Sequence, residues 1–119
     1  MGGEERRRSP RIEKRFIVKY RCPTIGQTQW LASPIKDLSA VGIRFFGEYG
    51  YTVGADLELE LSLPVTEKPV PAKGRVVWQQ RHGDGKMTEH GVEFLELDPP
   101  AQQHIAQMIK ILVEKRASS

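Results

Sequence analysis

The segment Arg6-Arg7-Arg8-Ser9-Pro10-Arg11 puts four guanidinium groups within six residues. Each is permanently charged and planar, and its fork of donors grips a phosphate or a guanine edge in bidentate fashion. Such a run is too polar to enter a core, and an anion relieves its self-repulsion. Taken alone, its plainer reading is a solvated tail or a nonspecific polyanion binder. A second constellation is Asp37-Leu38-Ser39-Ala40-Val41-Gly42. Asp37 and Ser39, two apart on extended backbone, point the same way. A carboxylate accepts hydrogen bonds from N–H groups on a base edge, and a hydroxyl donates to a phosphate oxygen. Gly42 lets the chain bend, or lets a ligand approach the backbone closely. The plainer reading of this segment is a turn capped by an Asp or Ser side chain.

Other chemistry is poorly provided for. His82, His90 and His104 are eight and fourteen residues apart, so no helix-borne metal pair exists. Cys22 is the only cysteine, which excludes an internal disulfide and a cysteine-based metal cluster. It alternates with Phe16, Val18 and Tyr20, the pattern of a buried structural thiol. There is no nucleophile elbow and no glycine-rich phosphate loop opening a helix. Glu58 and Glu60 belong to the solvated face of a strand. Neither catalysis nor a metal or cofactor is expected.

The elements that must position the two constellations follow from periodicity. Residues 1–14 form a flexible basic arm, since Pro10 breaks any helix and the composition is polar. From Arg15 the period becomes two, with Phe16, Val18, Tyr20 and Cys22 on one face. Pro23 to Gln27 supplies a turn, and Gln29 to Leu38 returns as a second strand. Gly42 to Phe46 is a short third strand. Asp56 to Leu63 is the clearest, with Leu57, Leu59, Leu61 and Leu63 alternating with Glu58, Glu60 and Ser62. Arg75 to Trp78 and Gly91 to Leu95 complete the series, with His82-Gly83-Asp84-Gly85 a hairpin tip. The period then turns helical over about residues 99–116. Asp98 is a good N-cap, Pro99 suits the first position, and Ala101, Ile105, Met108, Ile109 and Leu112 form an apolar stripe. Lys110, Lys115 and Arg116 complement the helix dipole at its far end. Residues 15–116 thus read as one domain, mainly β: a small antiparallel barrel or sandwich of about six strands with a C-terminal helix.

Charge is distributed unevenly. The net charge is +3 over 119 residues, yet residues 1–21 hold eight Lys or Arg against three Glu and the remainder is net acidic. A partner attracted by charge is therefore anionic and meets the amino end. The longest apolar runs are a few residues, too short to span a bilayer. The amino end has no apolar h-region, and Arg6 stands where N-myristoylation wants Ser or Thr. A cytoplasmic protein without membrane insertion is expected.

Together the constellations resemble a known family. Arg7 to Arg11, RRSPR, resembles the RxxxR arm motif of PilZ domains, and Asp37 to Gly42, DLSAVG, matches their second motif, [DN]xSxxG. The order agrees, and the 26 residues from Arg11 to Asp37 leave room for the family's first strand and turn. Downstream, Gly74 to Trp78 and Gly91 to Phe94 are similar to its later strands. Arg11 to Arg15 also reads RxxxR; Arg7/Arg11 is preferred because Arg15 opens the alternating strand. The resemblance implies a six-stranded antiparallel PilZ-type β-barrel with a C-terminal helix, acting as a cyclic di-GMP receptor that signals to a protein partner. It implies that Arg7 and Arg11 grip phosphates and guanine faces, with Arg6 and Arg8 flanking. Asp37 and Ser39 would hold one guanine and its neighbouring phosphate, Gly42 would preserve the turn, and Trp78 would stack near the ligand. Two rival readings remain: a PilZ-type adaptor that binds only protein, and a nucleic-acid-binding β-barrel. The second is disfavoured by an arm without interleaved aromatics and a net acidic body.

Overall fold

The computed structural model describes residues 16–64 and 66–118, with side chains as far as residue 111. Its strands are β1 (Ile17–Arg21), β2 (Leu31–Leu38), β3 (Gly42–Gly47), β4 (Asp56–Ser62), β5 (Val70–His82) and β6 (Met87–Leu97), followed by helix α1 (Pro99–Ser118). The strands close into a barrel in the order β1-β2-β3-β6-β5-β4, and every neighbouring pair is antiparallel. This is the mainly β, six-stranded antiparallel barrel with a C-terminal helix that the family resemblance implies, and it decides between the barrel and the sandwich that the residue pattern left open.

Alternation decides which side chains fill it. Across β1 and β4, Val18 faces Leu61 and Tyr20 faces Leu59, all four buried. The intervening pairs Lys19–Glu60 and Arg21–Glu58 point out, and Arg21 Nε lies 2.7 Å from Glu58 Oε1. Ile43 and Phe45 of β3, Val76 of β5 and Val92 of β6 complete the wall-to-wall core. Each such aliphatic side chain removed from water contributes about 1.5–3 kcal/mol. Cys22 is fully buried with its Sγ 3.3 Å from Thr24 Oγ1, the structural thiol its alternation foretells. Helix α1 adds Ala101 and Ile105 to the same cluster and buries Met108. The Asp98 carbonyl accepts the Gln102 N–H at 2.9 Å, closing the first helical turn. The expected contributions of Leu112, Lys115 and Arg116 lie outside the described side chains.

Strands β5 and β6 are longer than the cores of them visible in the sequence, running 13 and 11 residues. The cause is two β-bulges, one between Val76 and Trp78 and one that breaks the register beside Lys73/Gly74. A bulge adds an unpaired residue and turns two consecutive side chains to one side, which erases the period of two. Val77 and Trp78 are accordingly both exposed, as are Leu95 and Glu96. A third bulge, between Ile35 and Asp37 in β2, has the same effect on Lys36 and Asp37. The β5–β6 hairpin turns through Gly83 and Gly85, whose φ values of +61° and +88° are ones that glycine adopts at little cost.

His90 is an unexpected core residue. Its ring is wholly buried and stacks on Phe45 with centroids 5.2 Å apart. The Tyr51 N–H donates to Nε2 at 3.1 Å, so the proton of the neutral ring resides on Nδ1, which has no partner among the described residues. Burial holds the imidazole below its usual protonation range. The unfolded chain therefore binds a proton first as pH falls, and folding stability drops below about pH 6.5, the ordinary histidine value. Urea unfolding at pH 7 and pH 5 is expected to show a lower midpoint at pH 5, and His90→Gln is expected to flatten that difference. An equal pH dependence in both proteins would remove His90 from this role.

Candidate functional site

The bulge in β2 sets the geometry of the outer face. It turns Lys36 and Asp37 outward together, and Asp37 then lies opposite Arg44 of β3, with which it forms an ion pair. The tight turn that follows is organised by Ser39. Its N–H donates to the Gly42 carbonyl at 2.9 Å, and its Oγ accepts the N–H groups of Val41 and Gly42, each at 3.2 Å. The serine hydroxyl thus serves the turn itself, the plainer of the two roles its sequence context allows. Gly42 is required by proximity: a Cβ there would stand 2.2 Å from the Val92 carbonyl oxygen of β6. The turn is further held by the Phe94 N–H, which donates to the Val41 carbonyl at 2.8 Å, and by Gln102 of α1, whose Nε2 donates to the Ala40 carbonyl at 3.2 Å.

These residues line a shallow cleft of about 460 Å³ on the barrel's outer surface. Asp37, Ser39, Val41, Gly42 and Arg44 form one side, and Val77, Gly91 and Glu93 the other. Trp78 stands opposite Gly91 and is 38% exposed, so it is a surface side chain and not part of the core. A Cβ on Gly91 would come within 3.3 Å of its indole, so the ring covers the strand at the cleft's edge. Arg6, Arg7, Arg8 and Arg11, and the alternative partner Arg15, lie outside the described residues. The described chain begins at Phe16, whose carbonyl accepts the Ile35 N–H at 2.8 Å. The amino-terminal segment therefore joins the barrel beside Ile35, two residues from Asp37.

Three charged residues of this face were not singled out from the sequence. Glu89 of β6 has a side chain only 4% exposed, yet it points to the outer face between cations. Lys36 Nζ lies 3.1 Å from its Oε2, Arg44 Nη1 3.4 Å from the same oxygen, and His82 Nε2 2.9 Å from Oε1. Burial alone would raise the Glu89 carboxyl, but the hydrogen bond and charge of Lys36, the hydrogen bond of His82 and the charge of Arg44 outweigh it. The carboxyl is held below its usual range. The ring of Phe46 supports the cluster, 5.2 Å from Lys36 Nζ and edge-on to His82. Arg44 was visible in principle, since it alternates with the apolar Ile43 and Phe45. Glu89 carried no such signal, because Thr88, Glu89 and His90 are buried consecutively.

A larger hollow of about 690 Å³ lies elsewhere on the wall, around Trp30 and Leu95. Its rim carries Glu58, Glu60, Glu96 and Asp98 against Lys73, a balance that repels an anion. Among the described residues, no group of three or more His, Cys, Asp or Glu could hold a metal ion, and no helix is long and apolar enough to cross a membrane.

An outward cleft built on an Asp-x-Ser-x-x-Gly turn of a six-stranded barrel defines a class of domain. The chain belongs to the PilZ domain family, whose sequence model matches residues 5–110. Solved structures with the same fold include the Bacillus subtilis inhibitor of motility MotI/DgrA, at TM-score 0.70 and 20% identity over 94% of this chain. The PilZ domain of Escherichia coli YcgR, solved with c-di-GMP, matches at TM-score 0.60 and 16% identity over 95% of both chains. Klebsiella pneumoniae MrkH matches at TM-score 0.64 and 16% identity over 97% of this chain. The chain spans about half of MotI/DgrA and of MrkH, 54% in each case. No curated protein sequence matches significantly.

The Gly42 contact gives a direct test of the site's framework. Gly42→Ala is expected to destabilise the domain by about 3 kcal/mol, because backbone cannot yield to the added methyl as a side chain would. Urea denaturation measures it; a change smaller than about 0.5 kcal/mol, the scatter of ordinary surface substitutions, would show that β3 and β6 separate easily.

Proposed function

We propose that this chain is a receptor domain for cyclic di-GMP, acting by binding and not by catalysis. The observation that carries the proposal is a juxtaposition. Asp37, Ser39 and Gly42 line one outward cleft, and the arginine-bearing segment joins the barrel beside it, at Phe16 and Ile35. Phe16 is the fifth residue after Arg11, a reach of about 17 Å when extended, over which Arg11 would return to the cleft. The ligand offers two phosphates and two guanines. In this reading Arg7 and Arg11, with Arg6 and Arg8 beside them, take phosphates and guanine faces through charge-assisted contacts. Asp37 accepts from the N–H edge of one guanine, and the Ser39 hydroxyl, which donates to the Gly42 carbonyl at 3.3 Å, would redirect that proton to the neighbouring phosphate while its oxygen still caps the turn. Gly42 holds the turn against β6, and Trp78 offers an aromatic face at the cleft's edge. The family model and the presence of c-di-GMP in the YcgR domain support the choice of ligand.

Closure of the arm over the ligand would order residues 5–14 and remodel the surface next to the β2–β3 turn, where a partner protein in the cytoplasm would read it. Ordering the arm offsets part of the contact energy, and that coupling makes binding visible at a distance.

Two measurements test the proposal. Calorimetric titration with cyclic di-GMP is expected to show binding, and Arg7→Ala/Arg11→Ala at least about a tenfold loss, since each charge-assisted hydrogen bond contributes roughly 1.5–3 kcal/mol. Absence of binding by the intact chain would overturn the reading in favour of a protein-only adaptor. Amide exchange of residues 5–14 is expected to slow when ligand is added; unchanged exchange would remove the arm from the mechanism.

A further inference from the structure

Arg44 belongs to neither of the two motifs, yet it lines the same cleft and is 47% exposed. Both of its terminal nitrogens are engaged by carboxylates on different strands. Nη2 donates to Asp37 on β2, and Nη1 lies 3.4 Å from Oε2 of the nearly buried Glu89 on β6. Nε has no hydrogen-bond partner among the described residues. A guanidinium tied at its two outer corners loses the rotational freedom that an exposed arginine has, and what it still offers is its flat face and its Nε–H. Flat, weakly hydrated guanidinium faces stack on purine rings, which a lysine ammonium cannot do.

The tether is itself built. The β2 bulge brings Asp37 to the outer face, and Glu89 is fixed by Lys36 and His82 in addition to Arg44. Four strands, β2, β3, β6 and β5, each contribute a charged or ionisable member to one cluster beside the cleft. A carboxylate as buried as Glu89 requires such partners, because an unpaired buried charge is strongly unfavourable. The cluster therefore cannot relax easily, and Arg44 is held in place before any ligand arrives.

We propose that Arg44 is a base-stacking residue of this cleft, held flat by Asp37 and Glu89, that selects purine over pyrimidine in a cyclic dinucleotide. This rests on the reading of the cleft as a cyclic di-GMP site, and it adds a determinant outside both motifs. Stacking would leave the ion pair to Glu89 in place, while Asp37 turns part of its acceptor capacity to the guanine edge. Glu89 acts through Arg44 and is a positioning residue.

Affinity of the intact chain, Arg44→Lys, Arg44→Gln and Glu89→Gln is measured by calorimetry with cyclic di-GMP and with cyclic di-UMP as the pyrimidine probe. The intact chain is expected to prefer the purine ligand, and Arg44→Lys to lose about tenfold for cyclic di-GMP although its charge is kept, a size typical of one stacked base. Its affinity for cyclic di-UMP is expected to stay within about twofold of the intact chain's, since the charge remains. Glu89→Gln is expected to weaken cyclic di-GMP binding in the same direction. In the intact chain, the Arg44 Nε–H proton is expected to shift upfield on adding cyclic di-GMP, a ring-current signature that needs no variant to fold. If the intact chain binds neither ligand, the site reading itself fails and this inference with it. If the intact chain binds cyclic di-GMP while Arg44→Lys matches it and the Nε–H does not shift, the stacking role alone is overturned.

Discussion

The close approach of β3 to β6 at Gly42 is the constraint on which the outer face depends. With a Val92 carbonyl where a Cβ would be, the two strands meet without an intervening side chain. That contact pins the start of β3, and with it the turn that Ser39 caps. It also places Arg44 against Gly91 and Phe46 against Glu89 in register, so that residues distant in sequence share one surface. A bulkier residue would lever the strands apart at that contact.

Bulges do the complementary work. The barrel interior demands strict alternation, yet a ligand surface wants neighbouring side chains on the same side. Each interruption of register resolves that conflict locally by sending two consecutive residues outward: Lys36 with Asp37, and Val77 with Trp78. Barrel closure is preserved, because the pairing resumes beyond each bulge. The outer wall between β2 and β5 thereby gains both its charges and its exposed apolar surface without loss to the core.

The same bulges explain what could be read from the residues alone. Strand β4 was legible because its leucines alternate without error, and β1 because Val18, Tyr20 and Cys22 do likewise. Only the central parts of β5 and β6 were legible, since Val77 and Leu95 break the rhythm and Pro71 and Gly74 discourage a strand reading. Asp37, Ser39 and Gly42 could be picked out by spacing, but not the division of labour among them: the hydroxyl of Ser39 closes its own turn, and Asp37 is already paired. Glu89 and His90 were opaque. Burial of two ionisable side chains in succession, one facing out and one in, follows from partners on three other strands that no local pattern encodes. The arginine segment, conspicuous in the sequence, lies outside the described residues.

Among the described side chains, Gln102 ties helix α1 to the β2–β3 turn, its amide donating to the carbonyl of Ala40. Ala40 is the middle of the turn, so its carbonyl direction reports the turn's shape, while Gln102 is in the helix's first turn. Thermodynamic linkage makes such a contact symmetrical. Any guest that rotated the Ala40 carbonyl would alter how firmly the helix is seated, and a protein that grasped the helix would alter that guest's affinity by the same factor. That one hydrogen bond joins the shape of a loop to the seating of a helix.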